Sequence, residues 1–259
     1  MRNIGFIGFG NMAGAMAEGF IKSGGAEAAG IYAYAPHTDK LKKNCGRLGI
    51  NPAPSLKELV LACDVIFMAC KPYQIGGVVE ELGDLLCGKS VVSVAAGWDF
   101  GKYRAVLPDS AAVQCIMPNT PVAVSEGVFL IEESNDWDPD LRKELFDLLS
   151  GVGRVIELPD RLMNAGMAIS GCGPAFMDMI IEALADAAVK NGIGRAQAYE
   201  LVCRTMIGSA ALQLATGAHP GQLKDNVCSP GGTTIKGVAS LEESGIRSAL
   251  IKAVDAVLA

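Results

Sequence analysis

A chain of 259 residues is long enough to bury a substantial core, either as one large domain or as two smaller ones. Half of it is apolar, yet no uncharged apolar run reaches the roughly 18 residues a membrane-spanning helix needs, so no membrane partner is expected. A net charge of −6 argues against nucleic acid as a partner, and a complement of two histidines, His37 and His219, excludes chemistry built on several. Arg2 leads straight into an apolar stretch, and Gly8–Gly14 would interrupt the apolar region of a signal peptide, so a cytoplasmic protein is expected. The eight cysteines are dispersed with no C-x-x-C, which reads as small buried side chains rather than disulfides or a metal site.

In chain order, the first element is a strand over Asn3–Gly8 that flows into Gly8, Phe9, Gly10, Asn11, Met12, Ala13, a G-x-G-x-x-A turn. Gly8 permits the tight turn, Gly10 lets a pyrophosphate approach the backbone, and Ala13 lets the following helix pack close to the strand. The free N–H groups and the positive end of that helix then face the phosphates. Met12, Met16, Gly19 and Phe20 continue at helical spacing. Further strands are predicted over Ile31–Ala35, Val65–Ala69, Ser90–Ala95, Ala112–Met117, Val128–Glu132 and Arg154–Leu158, several of them continuous apolar runs of the kind parallel strands show when covered on both faces. Helical patterns lie between them. One spans Ser55–Leu61, with Ser55 and Glu58 forming a capping box, and another spans Asp138–Leu149. This alternation predicts an α/β fold with a doubly wound parallel sheet, a Rossmann-type dinucleotide-binding domain over residues 1–159.

After Pro159 the texture becomes helical. Phe176, Met179, Ile180, Ala183, Leu184, Ala187 and Ala188 mark one helix over Pro174–Lys190, closed by Asn191 and Gly192, and others fit Ala196–Ala215, Thr234–Ser244 and Arg247–Leu258. Residues 160–259 therefore form a small all-α domain. Its helices are too apolar to hide within about a hundred residues, which points to a homodimer interface; the alternative is that they cover the free face of the sheet.

The second strand ends Ala35, Pro36, His37, Thr38, with no carboxylate before Asp39. A dinucleotide with a 2′-phosphate would meet no repulsion there, and His37, Thr38 and Lys40 are placed to contact it, whereas a bent-back Asp39 would suit a ribose hydroxyl. NADPH is the favoured cofactor, with NADH open. Ala69-Cys70-Lys71-Pro72, Ala95-Ala96-Gly97 and the stretch around Asn119 (Met117–Pro121) follow later strands, where such folds place their ligands. In the helical part, Ser170–Pro174 and Ser229–Thr234 precede helices. Gly231, Gly232, Thr233 and Thr234 would present several N–H groups in a concave nest suited to a small carboxylate, or would simply cap a helix through Thr233 or Thr234.

These residues together resemble the pyrroline-5-carboxylate reductase family, over Gly5–Met12, Ala69–Pro72, Met117–Val122, Gly171–Pro174 and, most specifically, His219–Thr234, which reads HPGQLKDNVCSPGGTT. The resemblance implies an oxidoreductase acting on a cyclic imino acid, with NAD(P)H on Ile7, Gly8, Phe9, Gly10, Asn11 and Met12, on Ala69–Pro72, on Ala95–Gly97 and by Asn119. It implies a carboxylate held by Ser229, Gly231, Gly232, Thr233 and Thr234 at a subunit interface, Thr234 as proton donor, L-proline as product and a homodimer; assembly of dimers into a larger ring is left open. Two positions depart from the family: Ala35 stands where a serine is common, and Thr216-Gly217-Ala218 lacks an acidic side chain found in some members. A β-hydroxyacid dehydrogenase shares this plan but needs a lysine early in the first long α-domain helix, where this chain has Asp178, Glu182 and Asp186 and only Lys190 at the far end.

Overall fold

The computed structural model describes residues 2–259. Eight strands form one sheet: β1 (Ile4–Ile7), β2 (Ile31–Tyr34), β3 (Asn51–Pro52), β4 (Val65–Met68), β5 (Ser90–Ser93), β6 (Ala112–Pro118), β7 (Gly127–Asn135) and β8 (Gly153–Leu158). Their order is β3-β2-β1-β4-β5-β6-β7-β8. The chain winds outward from β1 through β2 to β3, then returns to β4 on the other side of β1 and winds the opposite way, so the topological switch lies between β1 and β4. A ligand crevice is expected at the carboxyl ends of those two strands.

All neighbours are parallel except β6 and β7, which pair antiparallel. This departs from the wholly parallel sheet expected. The link between them, residues 119–126, holds one 3-10 turn, Thr120–Val124, and is too short for a crossover. Helices α1 (Asn11–Lys22), α2 (Thr38–Leu48), α3 (Leu56–Ala62), α4 (Ile75–Leu82), α5 (Phe100–Arg104), α6 (Pro139–Ser150) and α7 (Met163–Ser170) belong to the same unit, which ends at Pro174. Ser55 caps α3, its hydroxyl accepting from Glu58 N at 3.2 Å; Asp138 caps α6.

Alternate residues of the central strands enter two separate cores, one on each face of the sheet. Phe6 and Phe67 stack at 4.9 Å and, on one face, meet Phe9 of the turn after β1 and Met16 and Phe20 of α1. Ile7, Ile66, Met68 and Val91 meet Leu59, Ile75 and Tyr103 on the other. Of the cysteines, Cys45, Cys63 and Cys115 are buried, Cys87 is exposed and the remaining four are half-buried, so only three are the core side chains expected of all eight. Burial pushes the Cys45 thiol up to about 11 and that of Cys63 to about 12.

The second unit, Ala175–Ala259, contains most of α8 (Gly173–Lys190), with α9 (Arg195–Thr216), α10 (Pro220–Asn226), α11 (Thr233–Glu243) and α12 (Ile246–Leu258). It has no core of its own: Ala185 and Ala198 are its only buried residues, while Met179, Ile207, Leu214 and Ile251 are each at least 60% exposed. The helical stretch Asp160–Lys190 is, by length and composition, long and apolar enough to cross a membrane, which the sequence reading did not anticipate.

Candidate active site

The turn after β1 is built as its glycines require. Gly8 has φ +90°, and a Cβ there would lie 2.5 Å from Cys70 N, so no other residue fits between the β1 and β4 ends. Its N–H donates to Tyr34 O at 2.9 Å, which ties the turn to β2. Gly10 is different. It is extended, caps α1 without any side-chain hydrogen bond, and a Cβ there would meet nothing within 4 Å. The twelve-residue helix α1 thus begins with unclaimed N–H groups and no acidic side chain in its first turn. Its first turns line a cavity of about 270 Å³ with Asn44 and Arg47 of α2. Glu18 also lines this cavity but is paired with Lys22 at 2.7 Å and Arg47 at 2.9 Å, and the helix start left open by Gly10 fits a pyrophosphate.

Two loops flank this turn. Ala69 N–H donates to Ile7 O at 2.8 Å, and the loop that follows folds into a 3-10 turn in which Lys71 N–H donates to Gln74 Oε1 (3.0 Å) and Gln74 N–H to Lys71 O (2.9 Å). Lys71 and Pro72 are exposed; Cys70 is half-buried, and burial raises its thiol pKa, leaving it a neutral wall of the site. After β5, Ala95 is buried while Ala96 and Gly97 face outward, with Gly97 at φ +79°. Lys102 Nζ donates to Gly97 O at 2.5 Å, and Trp98 Nε1 donates to Pro72 O at 3.0 Å. Ile7–Met12, Ala69–Pro72 and Ala95–Gly97 therefore converge at the carboxyl ends of β1, β4 and β5.

Asn119 directly follows β6 and is buried; its Oδ1 accepts from Val128 N (2.8 Å) and its Nδ2 donates to Ser170 O (3.0 Å). Nearby, a cavity of about 120 Å³ is lined by Gly97, Trp98, Lys102, Cys115, Glu132 and Asp160, among others. The Glu132 carboxylate accepts from Phe100 N at 3.0 Å, and burial is the main cause of its raised pKa. Sequence reasoning missed both Trp98 and Glu132. The one available signal was the position of Trp98 directly after Ala95-Ala96-Gly97. A larger cavity, about 350 Å³, sits by Ile4 and Val65 at the opposite ends of β1 and β4 and is remote from these loops.

On the helical unit, Gly231 has φ +70° and Gly232 N–H donates to Ser229 O at 3.0 Å. Gly232 is the N-cap of α11 and makes no side-chain cap bond, so Thr233 and Thr234 lie in the first turn with exposed side chains. The capped-helix alternative for these threonines is not what the chain adopts. Upstream, His219 caps α10, its Nδ1 accepting from Gly221 N at 3.0 Å. The first turn of α11 carries no acidic residue, and its N–H groups are open to an anion.

Two family models, several curated relatives and several solved structures match the chain. Residues 160–259 match the family described as pyrroline-5-carboxylate reductase dimerisation, and residues 3–97 match that described as NADP oxidoreductase, coenzyme F420-dependent. The chain is 41% identical over 260 residues to the pyrroline-5-carboxylate reductase of Treponema pallidum, covering 99% of this chain and 98% of that protein. It is 39% identical over 253 residues to that of Escherichia coli, covering 97% and 94%. A crystal structure of Plasmodium falciparum pyrroline carboxylate reductase with NADP bound superposes with a TM-score of 0.90 at 32% identity, covering 99% of this chain and 95% of that one.

Proposed function

The chain belongs to the pyrroline-5-carboxylate reductase family, and on that premise we propose how its residues reduce the C=N bond of 1-pyrroline-5-carboxylate to L-proline, the last step of proline biosynthesis. NAD(P)H, when bound, supplies the hydride. Gly8–Met12 and the start of α1 hold the pyrophosphate, and Ala69–Pro72 and Ala95–Gly97 flank the nicotinamide end, because β2 lies on the adenosine side of β1. The β2 end carries no carboxylate, and His37, Thr38 and Lys40 are all exposed there, which supports NADPH over NADH. Asn119 serves this site by holding its loop, since both ends of its amide are engaged within the protein.

Ser229, Gly231, Gly232 and Thr233 bind the substrate carboxylate through the open start of α11, and Thr234 presents its hydroxyl to the ring nitrogen. The nitrogen must carry a proton as carbon accepts hydride; Thr234 or a water it holds delivers that proton, or keeps an already protonated iminium in place. The single observation that carries the substrate side is the uncapped N-terminus of α11 with two unengaged threonines in its first turn. Residues 1–159 act as the dinucleotide domain and 160–259 as the substrate and dimerisation domain. The unit Ala175–Ala259, whose only buried residues are Ala185 and Ala198, needs a partner, and a second copy of this chain as a homodimer covers the apolar face of Asp160–Lys190 without invoking a membrane. On this reading the homodimer works in the cytoplasm, where a soluble imino acid and NADPH meet.

The deciding experiment follows nicotinamide absorbance with purified protein and 1-pyrroline-5-carboxylate, using NADPH and NADH in parallel. Oxidation that depends on the imine supports the reading and ranks the cofactors. Cofactor binding without oxidation would move the assignment to another imine or ketone substrate.

A further inference from the structure

We infer that Trp98 is a positioning residue that sets the separation of the two loops flanking the nicotinamide end of the dinucleotide. The inference rests on the dinucleotide reading above. β4 and β5 are neighbours whose ladder ends with Val94 N–H donating to Met68 O at 3.1 Å. Beyond that bond the chains part, one into Ala69–Pro72 and the other into Ala95–Gly97. Among the described residues, the hydrogen bond from Trp98 Nε1 to Pro72 O, 3.0 Å, is the only one that rejoins them.

The tie is anchored at both ends. The Trp98 ring lies against Tyr103 with centroids 5.0 Å apart, and Tyr103 is fully buried in the core below. From the same short helix, Lys102 donates to Gly97 O, so α5 grips the second loop from beneath while Trp98 reaches across to the first. At the far end, Pro72 O also accepts from Ile75 N, closing the 3-10 turn that carries Lys71 and Pro72. Gly97 sits at φ +79° between Ala96 and the indole, and that loop has no other side chain stiff enough to fix its direction. An indole has few rotamers and one donor, so a single bond orients the whole loop at small entropic cost. Loops held at a fixed gap bind a flat ring without first having to order themselves.

Trp98→Phe keeps an aromatic ring on Tyr103 and removes only the donor. The expected result is a three- to tenfold rise in the NADPH dissociation constant and KM, with a much smaller change in kcat once cofactor saturates. Amide exchange in the cofactor-free variant should quicken at Gln74 and Ile75, a reading that needs no dinucleotide at all. A folded variant whose NADPH affinity stays within twofold of wild type, or whose Gln74 and Ile75 amides exchange at the wild-type rate, overturns the inference. Should the variant not fold, the wild-type protein still decides: on adding NADPH, protection should rise together in residues 73–75 and 97–99, and protection confined to one of the two segments overturns the tie. Failure of wild type to bind any dinucleotide would instead defeat the site assignment, while the exchange test of the tie would stand.

Discussion

Asn119 Nδ2 donates to the carbonyl oxygen of Ser170 at 3.0 Å, across 51 residues of sequence. The same amide accepts from Val128 N–H through Oδ1. One buried side chain thus fastens three places: the end of β6, the start of β7 and the last turn of α7, two residues before α8 begins. Gly166 brings α7 close enough for this, since a Cβ there would come within 2.6 Å of Leu130 Cδ1.

Asn119→Ala leaves the partly buried N–H of Val128 without its partner and removes the donor to Ser170 O. A loss of about 2–4 kcal/mol is expected, because each orphaned polar group costs about 1–3 kcal/mol. Urea denaturation of the two proteins measures it. A loss below 1 kcal/mol would mean that water replaces both bonds and that the amide does not hold the loops.

The two glycines of the phosphate turn should fail differently. Gly10→Val adds a side chain into open space at an ordinary extended φ, so the protein folds and loses dinucleotide binding. Gly8→Val forces a β-branched residue into φ +90° with its Cβ 2.5 Å from Cys70 N, and should cost the fold itself. Thermal melts with and without NADPH separate the two outcomes: for Gly10→Val, a near-normal melting temperature that NADPH no longer raises. A folded Gly10→Val protein that still binds tightly would remove the pyrophosphate from this turn.

Much of this was legible in the sequence because the physics is local. β1, β2 and β4 are apolar runs, β5 to β8 are rich in Val and Ile, and α8, α11 and α12 keep a helical spacing over at least ten residues, while α9 is marked by its length of 22 residues rather than by an apolar face. What stayed hidden depends on tertiary context. β3 is two residues, Asn51–Pro52, with no apolar run to mark it. α7, MNAGMAIS, is too weakly amphipathic and too glycine-interrupted to stand out. α10 is one short stretch capped by a histidine. The antiparallel turn of β7 follows from loop length, not strand composition, and Trp98 and Glu132 matter through partners 26 and 32 residues away.

Thr234→Ala should lower kcat about tenfold to a hundredfold while leaving the NADPH dissociation constant unchanged, since positioned proton delivery contributes at least that much. Its exposed side chain caps nothing, so stability should move by less than about 0.5 kcal/mol. Steady-state kinetics with saturating NADPH measure this. An unchanged kcat takes the hydroxyl out of proton transfer and leaves water in its place.

Glu132→Gln tests the buried carboxyl beside the strand-end loops. Burial is the main cause of the raised pKa, with Asp160 and Asp99 adding to it, while the Cys115 thiol and the Phe100 N–H favour the charged form. The folded protein therefore holds this proton to a higher pH than the unfolded chain does. As pH rises from the unfolded carboxyl's pKa through the folded one, ionisation draws the equilibrium toward the unfolded chain, and wild type loses stability in that window. Glutamine keeps an acceptor for Phe100 N–H and has no proton to lose. The difference in melting temperature between Glu132→Gln and wild type should therefore move in the variant's favour as pH rises from 4 to 8. A difference independent of pH would show that the carboxyl titrates in the fold as it does in the unfolded chain.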